Sequence, residues 1–175
     1  ADNLINKIAA GEVIDRPSSV VKELVENSID ANADNITVVL RDGGTSLIQV
    51  LDNGDGMTET DAIMSFQRHA TSKISDFQDI ERVITLGFRG EALASIASVS
   101  RVEMKTVPRD SIEGTLISIE GGVVNRVDKT GGNSGTSVAV KNIFYNTPAR
   151  RKFLRANSTE YRQIGRASCR ERVCV

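Results

Sequence analysis

Four β-branched runs, RVEMKTV (101–107), GTLISIE (114–120), VVNRV (123–127) and TSVAVKNI (136–143), follow one another, broken only by turn-forming stretches built on PRD, GG and KTGGNSG. Connections this short join antiparallel neighbours. An earlier pair, NITVVLR (35–41) and TSLIQVL (45–51), is joined by DGG and reads as another hairpin. The chain is thereby committed to a mostly antiparallel, mixed sheet of hairpins in series.

A sheet with one apolar face needs helices to cover it. Residues 3–10, with Leu4, Ile5 and Ile8 on one side and Gly11 as a stop, read as a first helix, and a second starts at Pro17 and runs to about Ala31. Thr58 with Asp61 resembles a capping box ahead of a short helix. EALASIASV (91–99) reads as another helix, and the stretch from Thr147, as N-cap, with Pro148 in the first turn, as one more reaching Tyr161. Helices at the front and between groups of strands predict an α+β fold, a two-layer α/β sandwich with helices on one face. Residues 67–90 read as a long, partly ordered loop with a short helix near 76–83, a lid candidate. Residues 165–175 fit no pattern and are expected to be a junction foreign to a domain spanning 1–164.

With 175 residues, 39% hydrophobic and 26% charged, the chain has the composition of a folded domain and not of a disordered or fibrous one. It has neither a membrane-length apolar run nor a signal-peptide pattern, which predicts an intracellular protein. Residues 1–140 carry 13 Lys and Arg against 21 Asp and Glu, and residues 141–175 carry nine against two. A basic end of this kind is compatible with nucleic-acid contact. His69 is the single histidine, and Cys169 and Cys174 are spaced for neither a redox pair nor zinc.

The helix VVKELVENSIDA (20–31) carries Val20, Val21, Leu24, Val25 and Ile29 on one side, with Glu23, Glu26, Asn27 and Asp30 clustered opposite. Acids at these spacings repel unless something cationic gathers them, and Lys22 sits on the flank. Magnesium with nucleotide phosphates would do so: Mg²⁺ takes oxygen ligands, so Asn27 can bind it and a carboxylate one turn back can activate water. No Gly-Lys dipeptide occurs, so a Walker A cradle is excluded, while GFRGEAL (87–93) offers glycines before a helix N-terminus. In LDNGDGM (51–57), Asp52 ends a strand beside glycines that admit a flat ring, so it can accept from an exocyclic amine.

These motifs, AAGEVIDRPSSVVKELVENSIDA, DNGDGM, RHATSKI, GFRGEALASI and FYNTPARRKFL, taken in this order, resemble the N-terminal ATPase region of the MutL mismatch-repair family over about residues 1–164. The wider superfamily joins gyrase, heat-shock chaperones, histidine kinases and MutL. The resemblance implies a Bergerat-type α/β sandwich that binds ATP with Mg²⁺. It makes Glu23 the general base and Asn27 the metal ligand, with Glu26, Asp30 and Ala31 lining the pocket. Asp52 becomes the adenine reader, with Gly54, Gly56 and Met57 shaping the base pocket and Thr136 supporting the aspartate. Thr71 and Lys73 fall in an ATP lid, and Gly87, Phe88, Arg89, Gly90, Glu91, Ala92 and Leu93 in the phosphate segment. Arg150, Arg151, Lys152 and Arg155 match a basic segment near a dimer and DNA-facing surface.

The resemblance further implies DNA and a MutS-type mismatch-recognition protein as partners, no membrane, and a cytoplasmic, nucleoid-associated or nuclear location. An N-terminal arm and a second subdomain with a γ-phosphate lysine are expected of the family, so this stretch alone is expected to be monomeric and weakly active. Two rival readings are another superfamily member, such as a topoisomerase subunit, and a DNA-binding module with a vestigial pocket, in which Phe144 and Tyr145 stack a base.

Overall fold

The structure, a computed structural model, describes residues 14–67 and 89–170. The expected helix at 3–10, nearly all of the lid stretch with its helix near 76–83, and residues 171–175 lie outside these. Helix α1 (Pro17–Asp30) begins where the sequence predicts. Pro17 has no N–H to leave unsatisfied in a first turn, and the turn is tied by Ser19 Oγ donating to Asp15 Oδ1 at 2.6 Å. That bond, with help from Arg16, holds the Asp15 carboxyl below the usual carboxylate range. Val20, Val21, Leu24 and Val25 are buried as the periodicity requires, but Ile29, expected beside them, is 41% exposed at the helix end.

Strands β1 (Ile36–Arg41), β2 (Leu47–Asp52), β3 (Arg101–Val107), β4 (Glu113–Glu120), β5 (Val123–Gly131) and β6 (Gly135–Lys141) form one sheet in the order β1-β2-β6-β3-β4-β5. Every neighbouring pair is antiparallel, so the expected mixed character is corrected: no parallel pair occurs among the described residues. The series of hairpins is also interrupted. β6 leaves its sequence neighbour β5 at the sheet edge and inserts between β2 and β3. The pattern of residues explains the choice, because the inward face of β6 is Val138 and Val140, suited to the middle of a core, whereas β5 is exposed along nearly its whole length.

Alternation along β3 sends Val102, Met104 and Thr106 inward and Arg101, Glu103 and Lys105 to solvent. The inward residues meet α1 and helix α3 (Arg89–Ser98) in one core that includes Leu24, Val50, Ile96 and Ile117. Helix α2 (Glu59–Met64) is capped by Thr58, whose Oγ1 accepts from Asp61 N at 3.3 Å.

The single helix expected from Thr147 is two. Helix α4 (Pro148–Lys152) stops before an exposed Phe153, and α5 (Asn157–Arg170) starts afresh. Thr147 makes no side-chain cap. Instead Glu160 reaches back to accept from Arg155 N at 3.2 Å, fixing the start of the new helix much as a capping box does. α5 packs along α1, with Ile164 fully buried and Arg16 donating to Gln163 at 3.0 Å, and it continues through Gly165 to Arg170.

Candidate functional site

Register places the polar centre of the site. Asp52, last in β2, pairs with Thr136 of β6, which pairs with Thr106 of β3, so three strand ends line up side by side. Helix α1 lies across them. Ser28, three per cent exposed, donates to Asp52 Oδ2 at 2.7 Å and lies 3.2 Å from the Leu24 carbonyl; a hydroxyl has one proton, and the shorter bond to the carboxylate holds it. Asp52 Oδ1 accepts from Gly54 N at 2.9 Å and Thr136 N at 3.2 Å. The carboxylate is thus held in one orientation by three donors before any ligand arrives.

The DNGDGM turn is clamped between α1 and the β3–β4 connection. Asp55 N donates to Ala31 O at 2.8 Å, Arg109 N to Asp55 O at 2.8 Å, and Arg109 Nε pairs with the Asp55 carboxylate at 3.0 Å. At Gly54 a Cβ would stand 2.6 Å from the Ala31 carbonyl oxygen. At Gly56, with φ +67°, it would stand 2.0 Å from the Val107 oxygen. Both glycines are demanded by chain packing, and Gly56 also faces the site.

Over this floor opens a cavity of about 300 Å³, walled mainly by apolar groups with few polar ones. Eight residues predicted from sequence line it: Asn27, Asp30, Ala31, Asp52, Gly56, Met57, Leu93 and Thr136. Gly54 is not among the lining residues and acts on the site through its N–H, which donates to the Asp52 carboxylate, while its Cβ position is crowded by Ala31. Glu23 and Glu26 are half-buried and are not among the lining residues. Glu26 has Lys22 3.9 Å away, so the acidic stripe does draw a cation from the flank of its own helix. Helix α3 begins at Arg89, so Gly90 lies inside its first turn and not ahead of it, Glu91 is exposed and Ala92 is buried in the core. Thr71, Lys73, Gly87 and Phe88 lie outside the described residues.

Sequence reasoning missed Leu24, Ser28, Val50, Ser65, Met104 and Val138 in the wall, and Thr106 behind it. The apolar ones were visible only as core. Thr106 and Ser28 did leave a signal: each is a hydroxyl on an otherwise apolar, inward-facing pattern, where a polar group must find a partner.

At the basic segment, Arg151, Lys152 and Arg155 are exposed and Arg150 is half-buried. Phe144 is fully buried with φ +61°, unusual for so large a side chain, so the expected stacking of a base on it is corrected. Tyr145 is half-buried beneath the Arg101 guanidinium, 4.7 Å from its ring centre, and burial raises its hydroxyl pKa.

The sequence profile of the histidine kinase-, DNA gyrase B- and HSP90-like ATPases matches residues 15–129. The chain is 58% identical over 163 residues to the DNA mismatch repair protein MutL of Chloroherpeton thalassium, covering 93% of this chain and 26% of that protein. It is 56% identical over 163 residues, with the same coverage, to the MutL of Parabacteroides distasonis. It thus spans about a quarter of the length of the curated relatives it matches. Among solved structures, the Aquifex aeolicus MutL ATPase domain complexed with ADP superposes with a TM-score of 0.67 at 36% identity, over 87% of this chain and 52% of that one. The N-terminal domain of a DNA repair protein superposes with a TM-score of 0.75 at 36% identity, over 95% of this chain and 48% of that one. The chain belongs to the histidine kinase-, DNA gyrase B- and HSP90-like ATPase family, and within it to the MutL ATPase domains.

Proposed function

We propose that the cavity receives the adenine of ATP and that the chain hydrolyses ATP to ADP and phosphate. The observation that carries this reading is Asp52, which lines the cavity: Oδ1 accepts two backbone N–H groups, while Oδ2 accepts one hydroxyl and so keeps capacity to accept from an exocyclic amine. Gly56, Met57, Leu93 and the apolar wall give a flat ring its contact surface.

Along α1 the proposed roles follow the length of a nucleotide. Ser28 and Ala31 stand at the base end, Asn27 comes next, and Glu23 lies about 6 Å further up the helix at about 1.5 Å per residue. Asn27 suits magnesium: its amide offers a neutral oxygen at the cavity wall, and no group of three or more His, Cys, Asp or Glu among the described residues forms an all-protein metal cage. A cation held by one amide needs its remaining oxygens from phosphate and water, which is how Mg²⁺ is ordinarily bound. When bound, Mg²⁺ neutralises charge developing on the phosphates. Glu23 is the base that orients water for attack on phosphorus, and Glu26 and Asp30 complete the acidic surround. Thr71, Lys73 and Gly87 through Glu91 are assigned to closing over and cradling the phosphates, while Ala92, buried in the core, and Leu93, at the cavity wall, seat the helix that follows.

For the whole protein, the high identity to MutL proteins supports an ATP-driven conformational clamp in DNA mismatch repair inside the cell, acting with DNA and a MutS-type protein. Nucleotide-dependent pairing of two such domains is part of this reading. Arg150, Arg151, Lys152 and Arg155 are assigned to DNA or dimer contact. No helix among the described residues is long and apolar enough to cross a membrane.

Calorimetric titration with ADP and GDP, each with Mg²⁺ and with EDTA, tests the reading. ADP binds at least about tenfold tighter than GDP, and Asn27→Ala weakens ADP binding chiefly when Mg²⁺ is present. Equal affinity for the two nucleotides would remove the adenine assignment.

A further inference from the structure

Thr106 touches neither the cavity nor solvent, being fully buried behind Thr136. Its hydroxyl oxygen accepts the Met57 N–H at 2.9 Å and lies 2.9 Å from Thr136 Oγ1. Two directions are open to that hydroxyl pair, and burial decides between them. Among the described residues, Thr136 Oγ1 is the acceptor placed within hydrogen-bond distance of the Thr106 hydroxyl. If Thr136 donated to Thr106, the Thr106 proton would be left buried without an acceptor, the costlier arrangement. The low-energy order therefore runs one way: Met57 N–H to Thr106, Thr106 O–H to Thr136, and Thr136 O–H outward to the cavity that it lines.

We propose that Thr106 is a specificity-determining positioning residue, which fixes the Thr136 hydroxyl as a donor beside the Asp52 acceptor. The inference rests on the adenine reading above. The wall then presents a donor next to an acceptor. Adenine's edge, a ring nitrogen that accepts next to an amine that donates, matches this pattern directly or through one water. Guanine's edge carries a carbonyl acceptor and a ring N–H donor in the opposite order, so both contacts oppose it. Asp52 alone would oppose only the carbonyl. A purely internal hydrogen bond, out of reach of any ligand, thereby contributes to base choice.

The test pairs variants with ADP and 1-deaza-ADP, in which the ring nitrogen N1 is replaced by C–H. Thr106→Val removes the buried donor, leaves Thr136 free to turn, and also takes the acceptor from the Met57 N–H, a change that bears on both ligands alike. The ratio of ADP to 1-deaza-ADP affinity then falls about tenfold, the size expected of one lost directional hydrogen bond. Thr106→Ser, which keeps the hydroxyl, retains the wild-type ratio of the two ligands. A merely structural role for Thr106 would weaken both ligands equally, and that result, or no loss for either, overturns the proposal. Should Thr106→Val fail to fold, the wild-type protein still decides: about tenfold preference for ADP over 1-deaza-ADP supports the donor, and equal affinity overturns it. Failure of the wild-type protein to bind either ligand is a different result, which removes the nucleotide reading itself.

Discussion

The adenine end of the cavity and the α4–α5 joint are built to opposite standards. At the first, the Asp52 carboxylate has three protein donors, the turn beside it is tied to α1 and to the β3–β4 connection, and Gly56 sits where no Cβ fits. At the second, among the described residues, Thr147 Oγ1, Arg150 Nη1 and Glu160 Oε2 are buried polar atoms without a hydrogen-bond partner, and a Cβ at Gly165 would meet nothing within 4 Å. Both regions hold a shielded carboxylate, Asp52 and Glu160, but Asp52 is oriented before a ligand arrives, whereas Glu160 does a local job at a helix start. Preorganisation shows as redundancy of partners, and it is concentrated where a ligand must be read.

The contrast can be broken or sharpened by substitution. The largest effect is on turnover: Glu23→Ala lowers the rate of phosphate release by about 10² to 10⁴ while ADP affinity stays within a few-fold, since the residue stands outside the cavity wall. An unchanged steady-state rate would remove it from the base role. Next comes Gly56→Ala, which forces a Cβ to within 2.0 Å of the Val107 oxygen at a φ of +67°. Displacing two backbone segments costs on the order of 3 kcal/mol or more, and the melting temperature and ADP binding fall together. If the variant melts like the parent, the turn is not the rigid clamp described above.

Asp52→Asn is smaller and more selective. An amide can turn a donor toward the amine, so ADP affinity falls by about 10² with little change in stability, and the ratio of ADP to GDP affinity collapses. A ratio kept by the variant would mean that Asp52 does not read the base. The smallest effect has the opposite sign. Gly165→Ala, in the body of α5 with open space around it, raises stability by about 0.5 to 1 kcal/mol and leaves nucleotide binding alone. Denaturant melts compare it with Gly56→Ala, and a loss at both positions would erase the distinction between the two regions.

How far the residues alone lead can be judged at particular places. The span of α1, its buried valines and Leu24, the first hairpin and the strand-like character of all six strands are local matters, set by periodicity and by Gly and Pro at breaks, and they were legible. That Asn27 and Asp52 carry polar chemistry was legible too, because both lie in motifs whose joint order resembles one family, and the structure brings them to one cavity with Thr136, which lies outside those motifs. Pairing β6 with β2 and β3 was not legible, because a strand that skips its neighbour is placed by burial summed over a whole sheet and not by its own turn. The break at 153–156 was hidden for a similar reason, since it depends on Glu160 reaching back to Arg155 and on α5 packing along α1.

By itself, then, the sequence determined most of the helical and strand segments, the break at 153–156 apart, and their apolar faces, since these follow from neighbours a few residues apart. The tertiary structure decided which hydroxyls stand behind the side chains of the site. Ser28 reaches Asp52 and Thr106 reaches Thr136 across separations of 24 and 30 residues. Such contacts exist only once the register of three strands and the seat of one helix are fixed together, and a hydrogen bond between distant residues leaves no period in the chain to be read.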